Sequence, residues 1–296
     1  MEKELFLKIK ENYSEFSSFA VWRCWEDVAD LSVFDDLKVI EELNNDFVFV
    51  ALNPAVHNWV GERKPFDNFH SSDNKRQKDK KLCFALEDTI FYGSYITDLF
   101  KGYSNTDSSV VIKEYASNET KVKEDIKTLK DELKMLNPNK KPVLIAIGGQ
   151  VEKYLKKYVG TEYLVWKIAH YSDFHRDTAS KENYMDTVHK QLSELENVYT
   201  LLERVLSEYP IDRVYFVPQG TKRVKTQQFS YGEDSLVVLP STVTSIGEKA
   251  FTKKKGHPVD VVFTGTKLEW KERCLGKNLQ DIPCVHCIDD DIIYHI

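Results

Sequence analysis

Two polar residues in this sequence stand directly after apolar runs, and their side chains suit chemistry on a bound ligand. Asn53 follows the run DFVFVAL at 46–52 and is itself followed by Pro54. His170 follows the run YLVWKIA at 163–169. An amide can orient a water molecule, and an imidazole can donate a hydrogen bond to developing negative charge. Asn53 and His170 are therefore the candidate catalytic residues.

Each of these residues also has a purely structural interpretation. Asn53 could end a strand in a plain turn, because Pro54 fixes its own φ and favours extended geometry in the residue before it. His170 could be a core histidine whose ring nitrogens are satisfied internally. The sequence contains no Gly-x-Ser-x-Gly elbow, so a hydrolase triad is not indicated. The case for chemistry depends on the elements that position the two residues.

Apolar runs alternate with helical patterns up to about residue 207. The runs that are rich in β-branched and aromatic residues predict buried strands at 46–52, 94–99, 142–147 and 163–169. The amphipathic stretches predict helices at 81–89, 119–136, 150–158 and 181–207. Residues 1–45 are predicted to be mainly helical. Alternation of strands and helices predicts an α/β fold with an open, mostly parallel sheet.

The ends of the predicted strands carry a set of polar or small residues. Asn53, Asp98, Gly148 and His170 all fall at or just after those ends. Ligands of open parallel sheets bind outside the carboxyl ends of the strands. We therefore expect these residues to form a single site.

Four segments of the chain are similar, in order, to the motifs of one enzyme superfamily. Ala51-Leu52-Asn53-Pro54-Ala55 is similar to a strand ending in Gly-hydrophobic-Asn-Pro-Gly. Tyr95-Ile96-Thr97-Asp98-Leu99-Phe100-Lys101 is similar to a central Tyr-Ile-Thr-Asn/Asp segment. The strand and glycine at 142–149 precede a helix, and His170-Tyr171-Ser172 is similar to a His-Pro-Ser motif. Over residues 40–190 the chain thus resembles the uracil-DNA glycosylase superfamily.

This resemblance implies a three-layer sandwich and hydrolysis of an N-glycosidic bond in DNA, in repair or in defence against modified phage DNA. Asn53 would position or polarise the water that attacks the sugar C1′. His170 would stabilise the leaving base anion, or grip the base or the phosphodiester. Phe66 or Phe69 would stack on a base flipped out of the duplex.

Asp98 and Ser172 complete the expected site as substrate-binding residues. The base itself is left open between uracil, a mismatched thymine and a bulky modified base. Ala51 and Ala55 stand where the superfamily has glycine, which reduces the room for a close backbone approach. Tyr171 stands in place of the proline of the second motif, so the loop that wedges into DNA can differ.

Beyond residue 209, short strands and turns replace the helical pattern. The segment at 217–224 leads to Phe229 and the segment at 239–247 leads to Phe251, which gives a repeat of about 22 residues. The stretch LVVLPSTVTSIGEKAF resembles the BspA-like leucine-rich repeat, and 285–290 resembles the final strand of such arrays. We expect two domains, a glycosylase-like domain at 1–208 and a small β-rich repeat domain at 209–296.

The cysteines and histidines do not predict a metal or another cofactor. Five cysteines, an odd number, favour reduced thiols. Cys284-Val285-His286-Cys287 lacks a second Cys-x-x-Cys pair, and the resemblance to a repeat strand makes it structural. His57, His70 and His175 have a spacing that fits no standard metal motif.

Charge and hydropathy restrict the partners. The formal net charge of −6 gives no long-range attraction to DNA, although 75–81 could form a local basic rim or a plain solvated segment. No apolar stretch is long enough for a membrane span, and the N-terminus lacks a signal-peptide core, so a cytoplasmic protein without a membrane partner is expected.

Three functions are compatible with these patterns. The first is a DNA glycosylase acting on a flipped base. The second is a catalytically silent, glycosylase-like protein that binds nucleic acid or a nucleotide. In the third, the repeat tail is the functional part and binds a protein partner.

Overall fold

The structure is a computed structural model that describes residues 1–24, 26–54, 64–70, 79–172, 180–229, 234–252, 259–273 and 282–293. The chain divides into two compact units, one made of 1–155 and 166–191, the other of 156–165 and 192–296. The fold is α/β with mixed sheets. None of the helices in the described ranges combines the length and the apolar character that crossing a bilayer requires.

The first sheet has five strands: β1 (Ser17–Phe19), β2 (Asn44–Ala51), β3 (Ser94–Asp98), β4 (Val143–Ile147) and β5 (Val165–Ile168). The α-helices described before residue 207 are α1 (Lys3–Asn12), α2 (Asp79–Leu86), α3 (Ser108–Ala116), α4 (Glu119–Leu136), α5 (Gly149–Tyr158) and α6 (Lys181–Leu206). Two short 3-10 helices precede β2, at Leu31–Phe34 and Leu37–Glu41.

The strand order in this sheet is β1-β3-β2-β4-β5. Strands β3 and β4 both pair with β2 in parallel, and β1 pairs with β3 in the antiparallel sense. All five residues of β4 are apolar and buried, as expected for a strand covered on both faces. The five residues of β3 are also buried, although Ser94, Thr97 and Asp98 are polar. The predicted strands are therefore confirmed, and the sheet is mixed, because β1 runs antiparallel to β3.

The helical prediction for residues 1–45 is confirmed at α1 and in part by the two 3-10 helices, and it is wrong at Ser17–Phe19. Ser17–Phe19 forms a strand because it pairs with Tyr95–Thr97 of β3, which is a long-range contact that outweighs local propensity. The prediction for α4 is confirmed at both ends. Asn118 caps its first turn by accepting from the Lys121 N–H at 3.0 Å, and the helix ends at Leu136.

The second sheet has five strands: β6 (Val214–Phe216), β8 (Leu236–Leu239), β10 (Asp260–Phe263), β11 (Cys284–Cys287) and β12 (Asp291–Ile293). A separate pair consists of β7 (Arg223–Val224) and β9 (Ser245–Ile246). A short helix, α7 (Lys267–Arg273), follows β10, and a 3-10 helix at Ile211–Arg213 precedes β6.

The second sheet is ordered β12-β11-β10-β8-β6, and only β12 runs antiparallel to its neighbour. Val214 of β6 pairs with Leu236 of β8, 22 residues further along the chain. Strands β7 and β9 pair in parallel at the same offset. The rings of Phe229 and Phe251 stack at 5.5 Å with an interplanar angle of 8°. Equivalent positions of successive turns of the chain therefore lie next to each other.

Candidate functional site

The carboxyl ends of β3, β2 and β4 lie side by side at one edge of the first sheet. Ala51 is in register with Asp98, and Val50 with Ala146. The alignment continues beyond the strands, because the Leu99 N–H donates to the Ala51 carbonyl at 2.9 Å. The residues that follow these strands therefore share one edge, as the sequence pattern predicts.

Gly148 brings the end of β5 to the same edge. Its N–H donates to the carbonyl of Ile168, the last residue of β5, at 3.0 Å. Gly148 has a φ of +93°, and a Cβ added there would lie 3.3 Å from the Cβ of His170. Asn53 and His170 are separated by the width of β4, and two strand spacings put them on the order of 10 Å apart. The structure thus brings both candidate catalytic residues to one edge.

The side chain of Asn53 is held by backbone carbonyls. Its Nδ2 donates to Asn105 O at 2.8 Å, to Pro54 O at 3.1 Å and to Tyr103 O at 3.2 Å. An amide has only two hydrogens, so one of them is shared between two of these oxygens. These contacts determine which end of the amide carries the nitrogen. They leave Oδ1 as an acceptor that no other residue in the described part of the chain engages.

The ring of His170 is oriented by Ser172. The backbone N–H of Ser172 donates to Nδ1 at 3.1 Å, and the Ser172 hydroxyl lies 2.8 Å from the same nitrogen. Because a backbone N–H can only donate, Nδ1 is the unprotonated nitrogen of a neutral ring and the proton is on Nε2. The proton of the His170 ring is therefore on Nε2, and Ser172 positions that ring.

Asp98 is buried and is contacted by Asn68, a residue that the sequence analysis does not identify. The Nδ2 of Asn68 donates to Asp98 Oδ2 at 2.8 Å and to Phe16 O at 2.9 Å. Asn68 stands between Phe66 and Phe69, which both have a φ of 67°. A left-handed conformation costs a residue other than glycine about 1–3 kcal/mol. This strained turn is what carries Asn68 to Asp98.

Phe66 and Phe69, the expected stacking residues, have packing roles in the structure. The ring of Phe66 is fully buried, with centroids 5.6 Å from Phe19 and 4.9 Å from Phe34. Phe69 is also buried, and its carbonyl accepts a hydrogen bond from Trp22 Nε1 at 3.3 Å. Because these rings are enclosed by protein, they offer no open surface to a flipped base. The expectation of base stacking is therefore corrected for both residues.

Tyr171 is the aromatic residue that lies at the edge itself. Its ring stacks on that of His170 at 4.7 Å and 29°. Burial raises the pKa of the Tyr171 phenol well above its usual value, and the charges of Asp79 and Asp98 raise the pKa further. The phenol therefore keeps its proton and can donate a hydrogen bond. In the sequence, Tyr171 is notable only as a departure from the His-Pro-Ser motif, so its position beside His170 is not predicted.

A buried ion pair lies on the other side of β3. Lys101 Nζ is 2.8 Å from Glu132 Oε2, and their side chains are 6% and 1% exposed. The hydroxyls of Tyr95 and Thr97 donate to Glu132 Oε1 at 2.5 and 2.9 Å. Tyr95 and Thr97 alternate with Asp98 along the strand, so Asp98 points to the opposite side. The ion pair supports the strand that ends at Asp98.

Some of the residues considered in the sequence lie outside the described part of the chain. These are His57, His175 and 75–78, so two of the three histidines and the first four residues of the possible basic rim lie outside it, while 79–81 begin α2. His70 is described and is buried, with Nδ1 3.2 Å from Val28 O. Burial lowers the pKa of His70 to about 4. His70 is therefore a neutral core residue.

Comparisons with known proteins found no matching family model, curated protein or solved structure. The groups at the sheet edge are therefore the basis for inferring a function: the oriented amide of Asn53, the neutral ring of His170, the buried Asp98 with Asn68, and the protonated phenol of Tyr171.

Proposed function

We propose that the first unit is a DNA glycosylase related to the uracil-DNA glycosylase superfamily, with its three-layer fold. Its substrate would be a uracil, a mismatched base or a modified base. The observation that carries this proposal is the presence of an oriented amide, Asn53, and a neutral N–H donor, His170, at one edge of the sheet. Hydrolysis of an N-glycosidic bond requires a positioned water and a donor for the departing base, and these two residues are suited to supply them.

Asn53 and His170 have separate roles in the proposed reaction. The Oδ1 of Asn53 accepts a hydrogen bond from a water and orients a lone pair of that water towards C1′. As the water adds to C1′, the bond to the base nitrogen breaks and the base leaves with the bonding electrons. The Nε2–H of His170 stabilises the resulting anion. The proton lost by the water ends on the base, so the products are a sugar hydroxyl and the neutral base.

Tyr171 takes over the stacking role in this proposal. A flipped base is held by stacking and by hydrogen bonds to its edge. Tyr171 already stacks on His170, so a base placed against the same pair would bring its leaving nitrogen close to the imidazole. Asp98 and Ser172 remain the proposed polar contacts to the substrate, and Asn68 positions Asp98.

The experiment is an excision assay on oligonucleotides carrying uracil, mismatched thymine or hydroxymethylated bases, in single and double strands. Asn53→Ala is expected to lower the rate by about 10²–10³-fold, the usual effect of removing one oriented polar group from an active site. Ser104→Ala is the matched control, because the Ser104 hydroxyl also ties the 103–105 segment to the Pro54 carbonyl, at 3.1 Å. Ser104→Ala removes a similar hydrogen bond to the Pro54 carbonyl and leaves the amide of Asn53 unchanged.

A glycosylase is contradicted if no substrate yields an abasic product, or if Asn53→Ala and Ser104→Ala excise at the same rate. A second function, binding of nucleic acid or a nucleotide without catalysis, is favoured by one specific observation. The Asn53 amide nitrogen is committed to three backbone carbonyls, as in a structural turn. DNA binding by wild-type protein without any turnover supports this second function.

We also propose that the second unit is a short leucine-rich-repeat-like segment that binds a protein partner. Its support is the offset of 22 residues between Val214 and Leu236, repeated between Arg223 and Ser245. The stacked rings of Phe229 and Phe251 occupy equivalent positions 22 residues apart.

A further inference from the structure

Strands β11 and β12 bring three potential metal ligands together in the second unit. Cys284 and His286 are two residues apart on β11, so their side chains lie on the same side of the strand. Asp291 of β12 is in register with His286. The Cys284 Sγ, a His286 ring nitrogen and an Asp291 carboxylate oxygen all lie within 4.8 Å of one another. The antiparallel pairing therefore creates a cluster that sequence spacing alone does not reveal.

Two distances within this cluster are close to those of a tetrahedral metal site. The Cys284 Sγ is 3.8 Å from His286 Nδ1, and His286 Nδ1 is 3.2 Å from Asp291 Oδ1. Zinc bonds of about 2.3 Å to sulfur and about 2.0 Å to nitrogen or oxygen place the S and N atoms about 3.5 Å apart and the N and O atoms about 3.3 Å apart. We propose that Cys284, His286 and Asp291 bind a divalent zinc-like ion.

A catalytic Cys-His-Asp relay is excluded by the same geometry. In such a relay, the nucleophile and the carboxylate use different nitrogens of the imidazole. Here the thiol and the carboxylate both approach Nδ1 of His286 and compete for the same position. A position shared by three ligand atoms is what a metal ion requires.

The other thiol of the Cys-Val-His-Cys segment is not a ligand. Cys287 is fully buried and belongs to the apolar core of the second unit. It is three residues from Cys284, and three is an odd number of strand positions, so the two thiols lie on opposite sides of β11. The Cys-x-x-Cys spacing suggests Cys287 as a second ligand beside Cys284. In the structure, Asp291 rather than Cys287 lies with Cys284 and His286.

Neighbouring groups orient the ligands. Arg204 donates to Asp291 Oδ1 at 2.9 Å, and the Cys284 N–H donates to Asp260 Oδ1 at 3.1 Å. Such outer contacts hold ligating atoms in place in metal sites. With a metal bound, the negative charges of Asp260, Asp291 and the Cys284 thiolate outnumber the single positive charge of Arg204. The charges around the site therefore favour a cation. The three ligands are half-buried, so a fourth coordination position remains open to water.

Cobalt(II) titration of the reduced full-length protein tests the proposal. We expect one equivalent of cobalt to produce the thiolate-to-cobalt charge-transfer band of a tetrahedral site, and zinc to remove the band by displacement. Cys284→Ser should abolish the band. Cys24→Ser is the matched control, since Cys24 is a half-buried thiol elsewhere in the chain, and it should leave the band unchanged. A missing wild-type band, or a band that persists in Cys284→Ser, overturns the proposal.

Two further measurements keep the proposal testable if Cys284→Ser does not fold. His286→Gln and Asp291→Asn should each weaken cobalt binding at least tenfold, and Arg204→Gln should weaken it by about 10–100-fold as the loss of a positioning residue. Zinc should also slow alkylation of Cys284 but not of Cys24, as read by mass spectrometry. Equal affinities in wild type, His286→Gln and Asp291→Asn would show adventitious binding and refute the site.

Discussion

The two sheets of this protein differ in where they keep their polar groups. Next to the first sheet, the ion pair of Lys101 and Glu132 is buried, and Thr97 and Asp98 are buried within β3. In the second sheet, β8 is entirely apolar and buried. Its polar cluster of Cys284, His286 and Asp291 lies at the partly exposed end of the sheet. One sheet thus carries charge in its interior and the other carries it at its rim.

This difference indicates what each sheet is suited to do. A buried ion pair is often no more stabilising than an apolar replacement, so its presence is weak support for stability as such. Its position beneath the strand that ends at Asp98 suits a site in which hydrogen-bonding groups must be held still. The rim cluster has ligands that converge on a single point accessible to solvent, which suits capture of an ion.

The largest expected effect concerns the buried ion pair. Glu132→Gln removes the carboxylate that pairs with the buried Lys101, so we expect the free energy of unfolding to fall by about 3–5 kcal/mol in urea denaturation. Asp131→Asn is the matched control on the same helix. The Asp131–Lys127 pair is formed at 2.6 Å with side chains 57% and 77% exposed. Loss of such an exposed pair costs only about 0.3–0.5 kcal/mol.

A double variant sharpens this test. Lys101→Met with Glu132→Gln removes both charges together and keeps an amide oxygen that can accept from Tyr95 and Thr97, so we expect it to recover most of the stability lost in Glu132→Gln. Excision should stay impaired in the double variant if the ion pair serves to position the strand end. Equal unfolding free energies for Glu132→Gln and Asp131→Asn would show that the buried ion pair contributes no more to stability than the exposed one.

The second prediction concerns His70, another polar group buried in the first unit. Its pKa is about 4 in the folded protein, against 6.5 for a free histidine. The unfolded chain therefore takes up a proton first as the pH falls. The free energy of unfolding should be highest above pH 6.5 and fall by up to about 3 kcal/mol between pH 6.5 and 4. Denaturation at a series of pH values should show a smaller drop for His70→Gln, and parallel profiles would contradict the assignment.

Local sequence patterns predict strands β2 to β5 well, because each lies in a short run rich in β-branched and aromatic residues. They failed for β1, because Ser17–Phe19 becomes a strand only through its pairing with β3. They also could not reveal Asn68, since nothing local signals two left-handed phenylalanines in one turn. Glu132 could have been found, because it falls within the buried stripe of α4 formed by Leu129, Leu133 and Leu136.

The two candidate sites show the same limit of prediction from local sequence. Asn53 and His170 were predicted together because the carboxyl ends of parallel strands meet at one edge, which is a rule of topology. Phe66 and Phe69 were misjudged, because proximity to a motif does not say which way a ring points. Asp291 was missed because its partnership with Cys284 and His286 depends on the register of an antiparallel pair.

The smallest expected effect concerns a hydrogen bond near the surface of the second unit. The Thr242 hydroxyl donates to Thr221 O at 3.0 Å and accepts from the Gly220 N–H at 3.1 Å, linking successive turns of the chain. Thr242→Val keeps the shape and removes both bonds, so we expect a loss of about 1 kcal/mol in unfolding free energy. Thr242→Ser retains the hydroxyl and should lie closer to wild type. If Thr242→Val costs as much as Glu132→Gln, the second unit depends on its polar contacts as strongly as the first, and the contrast between the two sheets fails.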